Sequence, residues 1–80
     1  MDEQTFKFAT DTFLQSVGTV YYCAKTDESE DRFEAHKEDV YDMVDSALER
    51  WYGLGEVTAV QYDELRELAD LILTIDFGGF

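Results

Sequence analysis

The sequence predicts an all-α fold, a small three-helix bundle in which residues 28–75 form a helical hairpin. Three observations point there. Apolar residues recur at steps of three and four along three segments. Capping signals sit at the ends of those segments. Proline is absent from the 80 residues and glycine is confined to positions 18, 53, 55, 78 and 79, so long helices are allowed and few breaks are marked.

The first segment, roughly residues 3–24, places Phe6, Ala9, Phe13, Val17, Val20 and Ala24 on one stripe. Its second half is less decided by composition. Thr19 to Cys23 and Leu71 to Ile75 are both rich in β-formers. Pairing 17–24 with 71–77 as a two-stranded ribbon is therefore the α+β alternative. The stripe from Phe6 stays in phase through Val20 and Ala24, which favours a helix.

The second segment, roughly 28–52, runs Phe33, Val40, Val44, Ala47 and Trp51, with Met43 and Leu48 widening it. Asp27 followed by Glu30 resembles an N-terminal capping box, and acids fill the first turn, where the helix dipole favours them. Gly53 suits a C-terminal cap, and Leu54-Gly55-Glu56 makes a short connection. The third segment, roughly 59–75, uses Tyr62, Leu65, Leu68, Ala69, Ile72 and Ile75. Thr58 with Gln61 opens it as a second capping box, and Val57 and Tyr62 occupy the hydrophobic-staple positions.

A chain this short makes one domain, residues 1–80, burying about 60% of the surface it exposes when unfolded. Its 45% apolar and 15% aromatic content is too rich for a disordered acidic tail. Asp plus Glu number 19 against 6 Lys plus Arg, a net charge of -13. That balance disfavours direct binding to nucleic acid or to an anionic membrane, since phosphate binding needs positive charge. A basic partner is the expectation. Cys23 is the lone cysteine, which excludes an internal disulfide and a thiolate metal cluster and fits a reducing cytoplasm. No apolar run approaches the roughly 18 residues of a membrane span, and Met1-Asp2-Glu3 has the wrong charge for a secretory signal.

The most informative feature lies in the second segment. Residues 27–49 hold ten acids against Arg32 and Lys37, a local balance of -8. Residues 1–25 hold Asp2, Glu3 and Asp11 against Lys7 and Lys25, so the acidity is uneven, unlike a general adaptation to salt. Turning each residue by about 100° gathers Asp31, Glu34, Glu38, Asp42, Asp45 and Glu49 into one narrow arc, with the apolar set roughly on the other side. Like charges at i,i+4 oppose helix formation by roughly 0.2–0.5 kcal/mol per pair, and lysines rarely interleave here. The row spans about 27 Å at 1.5 Å per residue. Its charge density is of the same order as that of a DNA strand, whose phosphates advance about 3.4 Å each. Asp63, Glu67 and Asp70 add a shorter acidic face on the third segment. The plainer reading is a solvated helix face.

Other candidate sites are weaker. Asp27-Glu28-Ser29-Glu30-Asp31 leading to Glu38 sits in an EF-hand-like register, but Arg32 stands where that loop needs glycine. His36 is the sole histidine, so no histidine pair is available for a metal, and a solvent-exposed role is expected. Cys23 reads as a small buried hydrophobe. Paired carboxylates abound, yet nothing separates an acid from a base, and no phosphate-binding loop, nucleophile elbow or zinc motif occurs. The expectation is a protein with no catalytic residues, no metal and no cofactor. Trp51 belongs to the core. Phe8, Tyr22, Tyr52 and Phe80 exceed what a core this small can bury, so some of them form a homodimer or partner patch.

Thr19-Val20-Tyr21-Tyr22-Cys23-Ala24-Lys25 is similar to the strand before the third hypervariable loop of an antibody heavy chain. That family's paired cysteine has no counterpart here, and nothing of its function carries over. In size, acidity, helical build and absence of catalytic motifs, the chain resembles small phage-encoded inhibitors, including anti-CRISPR and DNA-mimic proteins. The resemblance implies a viral protein that blocks a host nuclease, restriction or CRISPR complex, with Asp31, Glu34, Glu38, Asp42, Asp45 and Glu49 as phosphate surrogates. Asp63, Glu67, Asp70, Tyr22 and Tyr52 complete the expected partner surface on a basic nucleic-acid-binding protein. Two alternatives stay open: an immunity or antitoxin-like protein that neutralises a basic toxin, and a structural helical adaptor whose acidity serves solubility.

Overall fold

The first helix, α1 (Glu3–Thr26), opens at Asp2, whose carboxylate accepts the Thr5 amide at 2.7 Å in this computed structural model of the chain. The structure describes residues 1–78, so Phe80 lies outside the described residues. Ala9, Phe13, Val17, Val20 and Ala24 are buried along α1 as the periodicity requires. The two-stranded ribbon does not form: residues 17–24 belong to α1, and there is no strand among the described residues. A strand would send Val17 and Val20, three positions apart, to opposite faces, whereas a helix buries both. The hydroxyls of Thr10, Thr12, Ser16, Thr19 and Thr26 each donate to the carbonyl four residues earlier, so these residues satisfy themselves within the helix.

Helix α2 (Glu30–Gly53) starts two residues later than residue 28, and its cap is Ser29, which accepts the Arg32 amide at 3.2 Å. Asp27, expected in that role, instead caps the C-terminus of α1, its amide on the Cys23 carbonyl at 2.9 Å. Because α1 persists to Thr26, the connection shrinks to three residues and leaves Asp27 on the α1 side. At the far end the helix runs through Gly53, and the left-handed position falls at Gly55 (φ 74°). The Gly55 amide donates to the Tyr52 carbonyl at 3.1 Å and the Glu56 amide to that of Trp51 at 2.9 Å, the paired bonds of a Schellman turn.

Thr58 and Gln61 form the reciprocal capping box of α3 (Ala59–Leu73), at 3.1 and 3.0 Å. Beyond α3 the chain turns back over the α1–α2 junction. Ile75 is buried, Phe77 lies 5.9 Å from Phe33, and the Gly78 amide donates to the Ala24 carbonyl at 3.1 Å. Lys37 donates to the Ile75 carbonyl at 3.0 Å.

Each helix packs against both others, in a body of 40 × 19 × 14 Å. Phe13, Val20, Phe33, Leu48, Leu65 and Ile72 form the solvent-free centre. Met43, expected to widen the apolar face of α2, is 63% exposed, while Leu48 is fully buried. These two point about 140° apart on the helix, and α3 packs on the Leu48 side. Trp51 is half-buried and stacks on Phe13 at 6.0 Å. Among the described residues no helix is long and apolar enough to cross a membrane.

Candidate functional site

Helix α2 carries eight acids against Arg32, Lys37 and Arg50, and α3 carries four against Arg66, net charges of -5 and -3. In α1, Glu3 and Asp11 are balanced by Lys7 and Lys25. The bundle is therefore two-sided electrostatically, with anionic surface on α2 and α3 and a neutral flank on α1.

Five of the six stripe residues of α2 are exposed and Asp45 is half-buried. The row is not uniform. Asp31, Glu38 and Asp42 form no ion pair among the described residues, and Glu34 lies 3.6 Å from Lys37. Asp45 and Glu49 are held by Arg66 of α3, at 2.8 and 2.6 Å. The stripe centres about 110° from the buried side of α2, not opposite to it, so it forms a flank. Asp45 and Glu49 are the last two residues of the row, and Arg66 of α3 reaches both at that end.

Arg66 also reaches one of the α3 acids. Asp70, one turn on, lies 3.9 Å away, while Asp63 and Glu67 are exposed. The hydroxyls of Tyr41 and Tyr62 each accept from the guanidinium at 3.3 Å. Tyr62 in turn donates to Glu49, and Tyr41 donates to Asp70 at 3.4 Å. Burial opposes the guanidinium charge, but Tyr62 and Asp45 outweigh it and hold its pKa above the ordinary arginine value. Three carboxylates around one cation leave the cluster anionic, and it joins the two acidic faces.

The predicted aromatics divide. Tyr52 packs on Tyr62 at 4.5 Å and stands beside the Glu49 end of the stripe. Tyr22 is 67% exposed on the outer face of α1, turned about 180° from its buried stripe, and so does not join the acidic surface. Phe8 is exposed by a groove of about 650 Å³ between α1 and the α2–α3 turn, lined also by Thr5, Thr12, Trp51 and Glu56.

Arg66 escaped the sequence reading, although one cation among Asp63, Glu67 and Asp70 was a visible signal. A second omission is a convergence at the α1–α2 junction, where ligand atoms of Cys23, Asp27 and His36 lie within 4.8 Å of one another. Desolvation, then the neighbouring Asp27, pushes the Cys23 thiol above its usual pKa, the reverse of nucleophile activation. His36 is half-exposed but not merely solvated, its Nδ1 being 3.0 Å from Asp27 Oδ2. The EF-hand register is broken, since residues 30–38 are helical and a calcium loop must wrap its ion.

What the acidic surface offers chemically is Coulomb attraction and hydrogen-bond acceptance from exposed carboxylates. Comparison with protein-family models, with curated proteins and with solved structures finds no match to this chain.

Proposed function

We propose that the protein is a non-enzymatic inhibitor that seats the acidic surface of α2 and α3 on the basic nucleic-acid-binding surface of a partner nuclease or CRISPR or restriction complex. The observation that carries this reading is the charge division of the bundle, with Asp31, Glu38 and Asp42 exposed and in no ion pair among the described residues, on an arc shared with Glu34. These four, with Asp63 and Glu67, are the phosphate surrogates. Asp45, Glu49 and Asp70 contribute charge at closer range while Arg66 holds them in place. Tyr52 supplies an aromatic contact at the rim.

Attraction of this kind accelerates encounter and is weakened by salt. The test captures proteins from a bacterial lysate on the immobilised chain, elutes them with rising salt, and asks whether the chain displaces nucleic acid from what was retained. Glu38→Lys combined with Asp42→Lys is expected to abolish both retention and displacement. Binding that survives the double reversal with little salt dependence overturns the reading.

That outcome instead supports a structural adaptor. The specific observation favouring it is apolar exposure away from the acidic stripe, at Tyr22 and along the groove beside Phe8 and Trp51. A homodimer through the outer face of α1 meets little like-charge repulsion, because that helix is neutral.

A further inference from the structure

We propose that Cys23, Asp27 and His36 form a binding site for a zinc ion at the junction of α1 and α2. The chain has one cysteine and one histidine, thirteen positions apart. Folding brings both to the same carboxylate, with the three ligand atoms within 4.8 Å of one another. Thiolate, imidazole and carboxylate are the ligand types that zinc takes, at about 2.3, 2.0 and 2.0–2.2 Å. Donors bound at those lengths in tetrahedral geometry lie about 3.3–3.8 Å apart. The His36–Asp27 pair at 3.0 Å is therefore close to that spacing, and side-chain movements of up to about 1.5 Å bring three donors that lie within 4.8 Å of one another to it.

The backbone places these groups for reasons independent of any ion. Cys23 and Asp27 are one turn apart at the end of α1, where the Asp27 amide closes the last turn on the Cys23 carbonyl at 2.9 Å. The three-residue connection then folds the second turn of α2 back, so His36 faces them. A cation here also lies at the negative end of the α1 dipole. Cys23 and Asp27 are half-buried and His36 is reachable from solvent, which leaves the fourth position to water. The mixed set disfavours magnesium and calcium, which prefer oxygen alone. Bound zinc would tie α1 to α2 across the hairpin, a gain for a domain with so small a core. The site does not depend on the acidic-surface reading.

Zinc chloride alone, titrated into the reduced chain, is expected to bind one ion per chain and to raise the unfolding temperature. Cobalt in its place should give a thiolate charge-transfer band. Cys23→Ser and His36→Gln should each weaken zinc by at least about tenfold, the lower end of what even outer-shell changes cost, with the cobalt band lost in Cys23→Ser. Circular dichroism checks that the variants keep their helices. If either unfolds, protection of Cys23 against alkylation by zinc in the unaltered chain tests the site directly. Zinc binding indifferent to both substitutions, absence of the cobalt band, or unprotected alkylation at saturating zinc overturns the site.

Discussion

Replacing Arg66 with methionine tests the arrangement that divides the acidic stripe. Methionine keeps most of the apolar stem and removes the charge, so packing loss is minimised. Arg66 is 21% exposed, and its partners Asp45 and Glu49 are 36% and 51% exposed. Such pairs lie between surface pairs, at about 0.2–1 kcal/mol, and buried ones, whose disruption costs about 3–5 kcal/mol. Discounted for solvent screening, the two contacts together contribute about 1–2 kcal/mol. The variant also leaves Asp45, Glu49 and Asp70 facing one another without a cation, which brings the expected loss to about 2 kcal/mol. For a domain of this size that is a fall of about 8–16 °C in unfolding temperature. Urea unfolding followed by circular dichroism, in low salt and near 1 M salt, reads both the loss and its screening, since the Debye length falls to about 3 Å. A loss below about 0.5 kcal/mol, or one identical at both salt concentrations, would refute the reasoning. The same variant releases Asp45 and Glu49, so affinity for a basic partner should rise while stability falls.

Leu48→Ala removes a fully buried side chain from the centre of the bundle and should cost about 2–5 kcal/mol, measured by urea unfolding. Thr58→Ala deletes half of the capping box and should cost about 1 kcal/mol, with hydrogen exchange rising first in the opening turn of α3. The pKa of Tyr41 is raised above 10.0, chiefly by desolvation, and that of Tyr62 chiefly by its hydrogen bond to Glu49. For groups raised on folding, the linked stability is present below pH 10.0 and is lost as pH climbs through the raised values. Phenolate absorbance should therefore develop later in the folded chain than in urea; coincident titrations would contradict the two hydroxyl environments.

Much of the fold was legible locally. Phe13, Val17, Val20 and Ala24 share one helical face and are buried there, and Thr58 with Gln61 marks the start of α3 as observed. The errors arose where two local signals competed. Asp27 and Ser29 are both good caps, and the persistence of α1 to Thr26 decided between them. Gly53 and Gly55 are both good terminators, and the turn placed its positive φ at the second.

Residue order alone was enough to specify three helices, the sign of the charge and its concentration in the second and third of them. These follow from periodicity, capping and composition, which act within a few residues of one chain segment. Periodicity gives the angle of a side chain about its own helix axis, but not the rotation or offset of the neighbouring helix. Packing of Leu48 against the centre formed with Leu65 and Ile72 decided that α3 lies on one flank of α2. Only then does Arg66 reach Asp45 and Glu49, and only the tight α1–α2 junction carries His36 to Asp27 and Cys23. Those encounters join residues on different helices, so they exist only once the helices have docked.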